Sequence, residues 1–391
     1  MQTVVIVSAV RTPIGRFGGA LRDVGADALA AHVAAGAVRA AGIEPSEIES
    51  VVFGQMYQTM AAPNVARIAA IGAGCRMETP AYTVQRNCGS GLNAITCAAQ
   101  AIAAGEVEIC LAGGVESMST IPYYLKGSRW GYRLRHTELT DMLWEGLTDY
   151  HEKQMMGYLM DTLGMKYGIT RIEQDEFAAE SHRKALTAIK DGKFKDEISP
   201  MEVISGKEKI IFDTDESPRD DVTVDSLSRL KPAFRPDGNV TAGNACPLND
   251  GAAALVLMSG KAAQAHGIKP LAHIRSYAYA AVPPAEVGIA PVYSCPTALE
   301  RAGIALKDID LIEITETMSA QVLSVEKELK WDRERVNVNG GTIALGHPTG
   351  ATGCRLVVTL VHEMRRRAAA LGLATMCIAG GQGGSIIVEA V

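Results

Sequence analysis

The sequence predicts an α/β fold made of two similar halves with a third, different stretch set between them. Three observations carry this. Strand-like and helix-like patterns alternate from the first residues onward, the order expected of an α/β protein. The chain contains an internal echo. Between the two copies, roughly 119–248, the composition changes.

The elements follow in order. Met1-Gln2-Thr3-Val4-Val5-Ile6-Val7 has the β-branched character of a strand. Ala41-Gly42-Ile43, then Ile48 and the strand Val51–Gly54, form the first copy of the echo; Ala302-Gly303-Ile304, then Ile309 and the strand Leu311–Ile314, form the second. Five positions separate the isoleucines in both. Each copy continues through a Gly-rich turn and a small-residue helix to a strand that runs into Ala-Gly-Gly, at 112–114 and 379–381. Ile48 lies 64 positions before Ala112, and Ile309 lies 70 before Ala379. This spacing suggests a duplicated unit. Cys88 follows Ile48 by 40 positions and His347 follows Ile309 by 38, so duplication sets the two at matching loops. The divisions expected are 1–118, completed by about 249–271, for the first half, 119–248 for an inserted covering region, and 272–391 for the second half. Within the insertion, Gln174–Lys190 has amphipathic helical spacing and Asp213–Asp225 is an acidic loop containing proline. Thr241–Asn244 and Asn249-Asp250-Gly251 are turn residues that bring the chain back to the core.

Composition narrows the function. With 391 residues, 47% apolar and 21% charged, the chain can bury several sizeable cores. A net charge of −6 argues against a general nucleic-acid surface. No uninterrupted apolar stretch is long enough to span a bilayer, and no secretory signal leads the chain, so a cytoplasmic location is expected. The eight cysteines have no Cys-x-x-Cys spacing, which argues against a zinc ribbon and for free thiols in a reducing compartment. No metal is expected.

Chemistry gathers at three glycine-rich segments. Asn87-Cys88-Gly89-Ser90-Gly91 lies between a strand end, Tyr82-Thr83-Val84, and a run of small residues with helical spacing that ends at Gly105. A cysteine at such a turn meets free N–H groups and the positive end of a helix, which favour a thiolate; the structural alternative is a buried cysteine beside a tight turn. Gly346-His347-Pro348 offers a histidine that can accept a thiol proton and hold the thiolate as an ion pair. Cys377, before Ala379-Gly380-Gly381, ends a strand and can serve as acid or base beside turn N–H groups that form an oxyanion hole. A further segment, Glu313–Met318, ends a strand with polar groups. Cys75, Cys97, Cys110, Cys295 and Cys354 are read as packing residues. His136, His151, His182, His266 and His273 are read as surface or structural residues, and Arg365–Arg367 as a helix end in solvent.

Together with Arg11-Thr12-Pro13-Ile14-Gly15 and Gly243-Asn244-Ala245, these segments resemble the thiolases, in order and over nearly the whole chain. The resemblance implies two duplicated α/β halves with mixed sheets around central helices, and acyl transfer with Cys88 acylated, His347 activating it and Cys377 moving the second proton. It implies that the N–H groups of Cys88 and Ala379 hold the thioester oxygen, supported by Thr315 and Gly380. It places Leu147, Met155, Met156, Arg219, Phe234, Ala245, Cys246 and Val287 at the acyl-CoA site. Coenzyme A is then a substrate, with no permanently bound cofactor. The partners implied are acyl-CoA, CoA, a second copy of the chain as homodimer or dimer of dimers, and, as in some divergent thiolases, a small zinc-ribbon/OB-type subunit. Three places depart from the family. Thr315-Glu316-Thr317-Met318 stands for Asn-Glu-Ala-Phe, whose Asn holds a water at the oxyanion hole. Met155 stands for the histidine of acetoacetyl-CoA enzymes, and Cys246 for a serine. Read together, the departures point to a larger, branched or aryl 3-oxoacyl-CoA, benzoylsuccinyl-CoA being one candidate. Acetyl-CoA acetyltransferase is the alternative, and a non-catalytic subunit of a complex the alternative of another class.

Overall fold

The computed structural model describes residues 2–205 and 208–391. The first half opens with β1 (Val4–Arg11), β2 (Gly15–Arg16), α1 (Ala26–Ala41), β3 (Ser50–Gly54), α2 (Val65–Gly72), β4 (Ala81–Val84), α3 (Ser90–Ala104) and β5 (Ile109–Ser117). The insertion carries a short hairpin, β6 (Tyr123–Tyr124) with β7 (Thr140–Asp141), then α4 (Met142–Gly146), α5 (Met156–Lys166), α6 (Arg171–Lys190), a second hairpin, β8 (Met201–Ser205) with β9 (Glu208–Phe212), and α7 (Val224–Ser228). β10 (Asn249–Ser259), α8 (Gly260–Ala265) and β11 (Ala272–Ala281) lead into the second half: α9 (Pro291–Ala302), β12 (Leu311–Ile314), α10 (Ser319–Leu329), α11 (Thr342–Leu345), α12 (Thr349–Arg367), β13 (Leu371–Ile378) and β14 (Gln382–Ala390).

The strands of both halves form one ten-stranded mixed sheet, in the order β12-β13-β14-β11-β1-β10-β5-β3-β4, with β2 beside β10. The halves meet edge to edge where Val5 and Ile6 of β1 pair His273 and Ala272 of β11. On one face, α3 and α12 lie together, sharing a core with Ile6, Val52, Ala112, Leu255, Met376 and Ile386 from strands of both halves. Their N-terminal ends come within backbone contact, because a Cβ on Gly91 would stand 2.7 Å from the Gly350 carbonyl oxygen and one on Gly114 of β5 only 2.3 Å from it. Only glycine fits so close an approach. Cys88 precedes α3 by two residues and His347 precedes α12 by two, so this contact aims both at one region. On the other face, α1 packs alanines and valines against β1, β5 and β10, and α2 packs against α1, β3 and β4.

Several boundaries differ from those read in the sequence. β1 continues to Arg11, whose buried guanidinium bonds Glu197 and Asp215 of the insertion; Met1 lies outside the described residues. α6 begins at Arg171 rather than Gln174, because Thr170 and Glu173 cap it reciprocally. The acidic loop ends at Thr223, where α7 starts, and its Asp215 is buried on Arg11 instead of facing solvent. Asn249-Asp250-Gly251 begins β10 and is not a turn; Asp250 accepts from the Ser119 N–H and hydroxyl, which replaces the local bonding that would bend the chain there. Arg366 and Arg367 do end α12, but both pair with Glu363.

Candidate active site

Cys88 sits in a tight turn, not in the helix. Asn87 has φ of 45°, the Gly89 N–H donates to the Arg86 carbonyl, and the Ser90 hydroxyl donates to the Asn87 carbonyl while accepting from the Arg86 N–H. The Asn87 carboxamide donates to the Ala379 carbonyl at 2.9 Å, fastening this turn to the one after β13. In return, the Ala379 N–H points at the Cys88 sulfur, as does the N–H of Cys88 itself. Burial, then the neighbouring Cys377, push its thiol up to about 12, and the two N–H groups recover only part of that.

Cys377 is buried one residue before the end of β13, and its sulfur lies 3.3 Å from the Thr317 hydroxyl. Burial pushes it up to about 11, opposed by Thr317 and by its own N–H. The turn that follows uses Gly380 and Gly381 at φ 81° and 77°.

His347 is held at both ends. Its N–H donates to Asn249 Oδ1 at 2.9 Å, and Nδ1 lies 2.7 Å from Thr352 Oγ1. The Thr352 hydroxyl donates its single hydrogen to the Pro348 carbonyl, so it can only accept from the ring. The proton is thereby assigned to Nδ1, and Nε2 is left as a lone pair, buried and without a partner. Burial, then the Arg355 guanidinium, hold the imidazole down at about 3. Both shifts favour the neutral pair, imidazole and thiol, before substrate arrives. Glu116 seats the loop by accepting from the Thr349 hydroxyl and the N–H groups of Gly350, Met56 and Tyr57, while lying near enough to act on Cys88.

Around the thiols lie two apolar clusters. Leu147 joins Tyr57, Met118 and Leu143 against Cys88. Met156, Phe234, Ala245 and Val287 join Met318 and Ala379 against Cys377. Cys246 is close enough to act on both thiols, and its N–H donates to the Thr317 carbonyl. Thr315 is fully buried with its hydroxyl unpartnered, like His347 Nε2, so the two offer polar atoms that nothing in the described chain satisfies. Met155 is half-buried and tethered: its sulfur accepts from the Thr148 hydroxyl at 3.3 Å. Arg219 forms an exposed bidentate pair with Asp221 and touches neither thiol.

Several supports had no assigned role in the sequence. Asn249, Thr352 and Glu116 are remote from His347 or lack a pattern that links them to it. Thr317 was visible only as part of the polar strand end. Of that stretch, Glu313 pairs with Arg355, and Glu316 accepts from Ser181, Asn337 and the Ile343 N–H. All eight cysteines are free, and the described residues contain no cluster of metal-ligating side chains. No described helix is long and apolar enough to cross a membrane.

Comparison with known proteins gives a consistent result. The family model for the N-terminal domain of thiolase matches residues 4–261, and that for the C-terminal domain matches 268–390. An acetyl-CoA acetyltransferase of Pseudomonas aeruginosa is 51% identical over 98% of both chains. The crystal structure of the Bacillus anthracis acetyl-CoA acetyltransferase superposes with a TM-score of 0.98 at 48% identity, covering 100% of this chain and 99% of that one. Human mitochondrial 3-ketoacyl-CoA thiolase, solved in complex with CoA, gives 0.96 at 40% identity over 100% and 98%.

Proposed function

The chain belongs to the thiolase family of acyltransferases, and from that premise we propose that it is an acetyl-CoA acetyltransferase, exchanging acetyl groups between Cys88 and coenzyme A. The observation that carries this reading is His347 Nε2, a buried lone pair without a partner, set with two free thiols, Cys88 and Cys377, whose turns are fastened to each other by Asn87. That set matches the proton inventory of the reaction.

In the cleavage direction, His347 Nε2 takes the Cys88 proton as the sulfur adds to the 3-oxo carbon of acetoacetyl-CoA. The bond between C2 and C3 breaks, its electron pair leaves on the acetyl-CoA enolate, and Cys377 protonates that carbon and becomes a thiolate. Acetyl-Cys88 remains. Coenzyme A then gives its thiol proton to Cys377, its sulfur attacks the acetyl carbonyl, and Cys88 leaves as a thiolate that recovers its proton from His347. Condensation is the reverse. N–H groups of Cys88 and Ala379 stabilise one developing oxyanion; His347 Nε2, with a water on Thr315, stabilises the other.

The substrate reading follows the relatives. Their names favour acetoacetyl-CoA, and they lend no support to benzoylsuccinyl-CoA or to a zinc-ribbon subunit. In this reading the enzyme works in the cytoplasm as a homodimer or dimer of dimers, with coenzyme A as substrate. The test joins labelling to kinetics. Incubation with isotopically labelled acetyl-CoA, followed by peptide mapping, is expected to put the acetyl group on Cys88. Cleavage of acetoacetyl-CoA is expected to be at least as efficient in kcat/KM as that of longer, branched or aryl 3-oxoacyl-CoA substrates. A preference of ~10-fold for a larger substrate, the scale of about one extra buried methylene or two, would return the assignment to the pocket departures at Met155 and Thr315.

A further inference from the structure

Cys377 has two tasks in the reaction just proposed, on which this inference rests. It must be a thiol at one stage and a thiolate at the next, without moving. A buried thiolate needs compensation. The groups facing it are the Cys88 thiol from the turn before α3 and the Cys246 thiol from the loop before β10, with Glu316 acting on Cys246 from beyond. None of these is a cation. Among the described residues, the only groups that ease the charged form of Cys377 are its own N–H and the Thr317 hydroxyl.

Thr317 is built into the site from three directions. Its N–H donates to Gln321 Oε1, its carbonyl accepts from the Cys246 N–H, and its hydroxyl lies 3.3 Å from the Cys377 sulfur. The flanking bridge between Ala245 and Met318 fixes the same backbone. The hydroxyl has no other partner among the described residues. It can therefore accept from S–H or donate to S⁻ by rotation alone.

We propose that Thr317 is the positioning residue for the second proton transfer, its hydroxyl reversing between acceptor and donor as Cys377 passes between thiol and thiolate. A backbone N–H can only donate, so it favours one state. The hydroxyl serves both, and it holds the sulfur at one distance from Cys88 throughout.

The test reads the thiolate directly. In a Cys88→Ser background, the rate of Cys377 alkylation by iodoacetamide is followed against pH by peptide mass spectrometry, for Thr317, Thr317→Ser and Thr317→Val. Valine keeps the shape and both backbone bonds. Its alkylation at a fixed pH below the midpoint is expected to fall by about ten-fold, the scale of one hydrogen bond to a charged group, with the profile displaced to higher pH. Serine is expected to stay within about three-fold of the parent, by the same accounting. With Cys88 present, Thr317→Val is expected to lower kcat for acetoacetyl-CoA cleavage, while acetylation of Cys88 by acetyl-CoA, whose thiolate can leave unprotonated, keeps its rate in a single turnover. Thr317→Ala, which removes the hydroxyl without adding bulk, carries the same measurement if the valine variant does not fold. Superimposable profiles for threonine, alanine and valine would overturn the proposal. Because alkylation needs no acyl transfer, a protein inactive on acetoacetyl-CoA but showing the displaced profile would sink the substrate reading and leave Thr317 in its role.

Discussion

The tripeptide Ala-Gly-Gly occurs at matching places in the two halves, and it does different work in each. At 112–114 it lies inside β5, and the strand runs on to Ser117. There the glycines are needed for space: the Phe53 ring occupies the room of a Cβ on Gly113, and the Gly350 carbonyl that of one on Gly114. At 379–381 the strand has ended and both glycines take positive φ; Gly380, at φ 81° with open space beyond its Cα, is needed for conformation alone, while Gly381, at 77°, also has the Val282 carbonyl 2.2 Å from where its Cβ would stand. One half uses its glycines to let α12, with His347 just ahead of it, come close. The other uses them to turn an N–H toward Cys88. The same tripeptide thus serves a close approach in one half and a turn beside Cys88 in the other.

The sharpest way to break this comparison is to remove the reactive groups of the second half one at a time. His347→Ala is expected to slow acetylation of Cys88 by ~10²–10⁴-fold, the loss typical of a general base. Cys377→Ala is expected to acetylate Cys88 from acetyl-CoA at nearly the parent rate in one turnover, the CoA thiolate leaving unprotonated, and then to stall. Quenched-flow labelling with acetyl-CoA separates the two. If both variants acetylate equally slowly, the division of labour between His347 and Cys377 is wrong.

Much of this was legible in the sequence, because the site's reactive groups sit in glycine-rich turns whose local pattern announces them. Cys88, His347 and Cys377 each stand beside glycines at a strand or helix end, and the α/β alternation was plain. Protonation was not legible. The turn ahead of the helix is where the sequence places Cys88, but the depth of its burial, which opposes the two N–H groups, has no local signal. The His347 tautomer depends on Thr352 donating to Pro348, a local detail with no sequence signal. Asn249, which holds the His347 backbone, is 98 positions away and looked like a turn residue because its neighbours are Asp and Gly. The tether on Met155 was not legible either, because the Thr148 hydroxyl is met only when the chain doubles back.

A smaller effect is expected where glycine supplies space. Gly114→Ala sets a methyl group 2.3 Å from a backbone oxygen that no side-chain rotation can relieve, and 3.0–3.1 Å from Cα atoms of Gly91 and Ala351. The N-terminal ends of α3 and α12 must separate. Overpacking of this kind costs about 1–3 kcal/mol, read as a lower midpoint in urea with unchanged slope, and the same displacement should slow Cys88 acetylation. A variant with parent stability would show that the close approach of the two helices is not enforced here.

Where glycine supplies conformation, the effect is smaller still and of another kind. A Cβ on Gly380 meets nothing nearer than the Asn87 amide nitrogen at 3.9 Å, so packing does not oppose it. What opposes it is φ. An L residue near +80° brings its Cβ toward the carbonyl, costing roughly 1–2 kcal/mol. Gly380→Ala is therefore expected to lose about 1 kcal/mol in urea unfolding on that basis, and Gly380→Asn less, because asparagine tolerates the left-handed region better than alanine. The order parent, asparagine, alanine is the signature of a conformational demand. At Gly114 the order should follow size instead, with asparagine far worse than alanine. If asparagine ranks below alanine at Gly380 as well, the constraint there is steric, and the two copies of Ala-Gly-Gly do not differ in the way their backbones suggest.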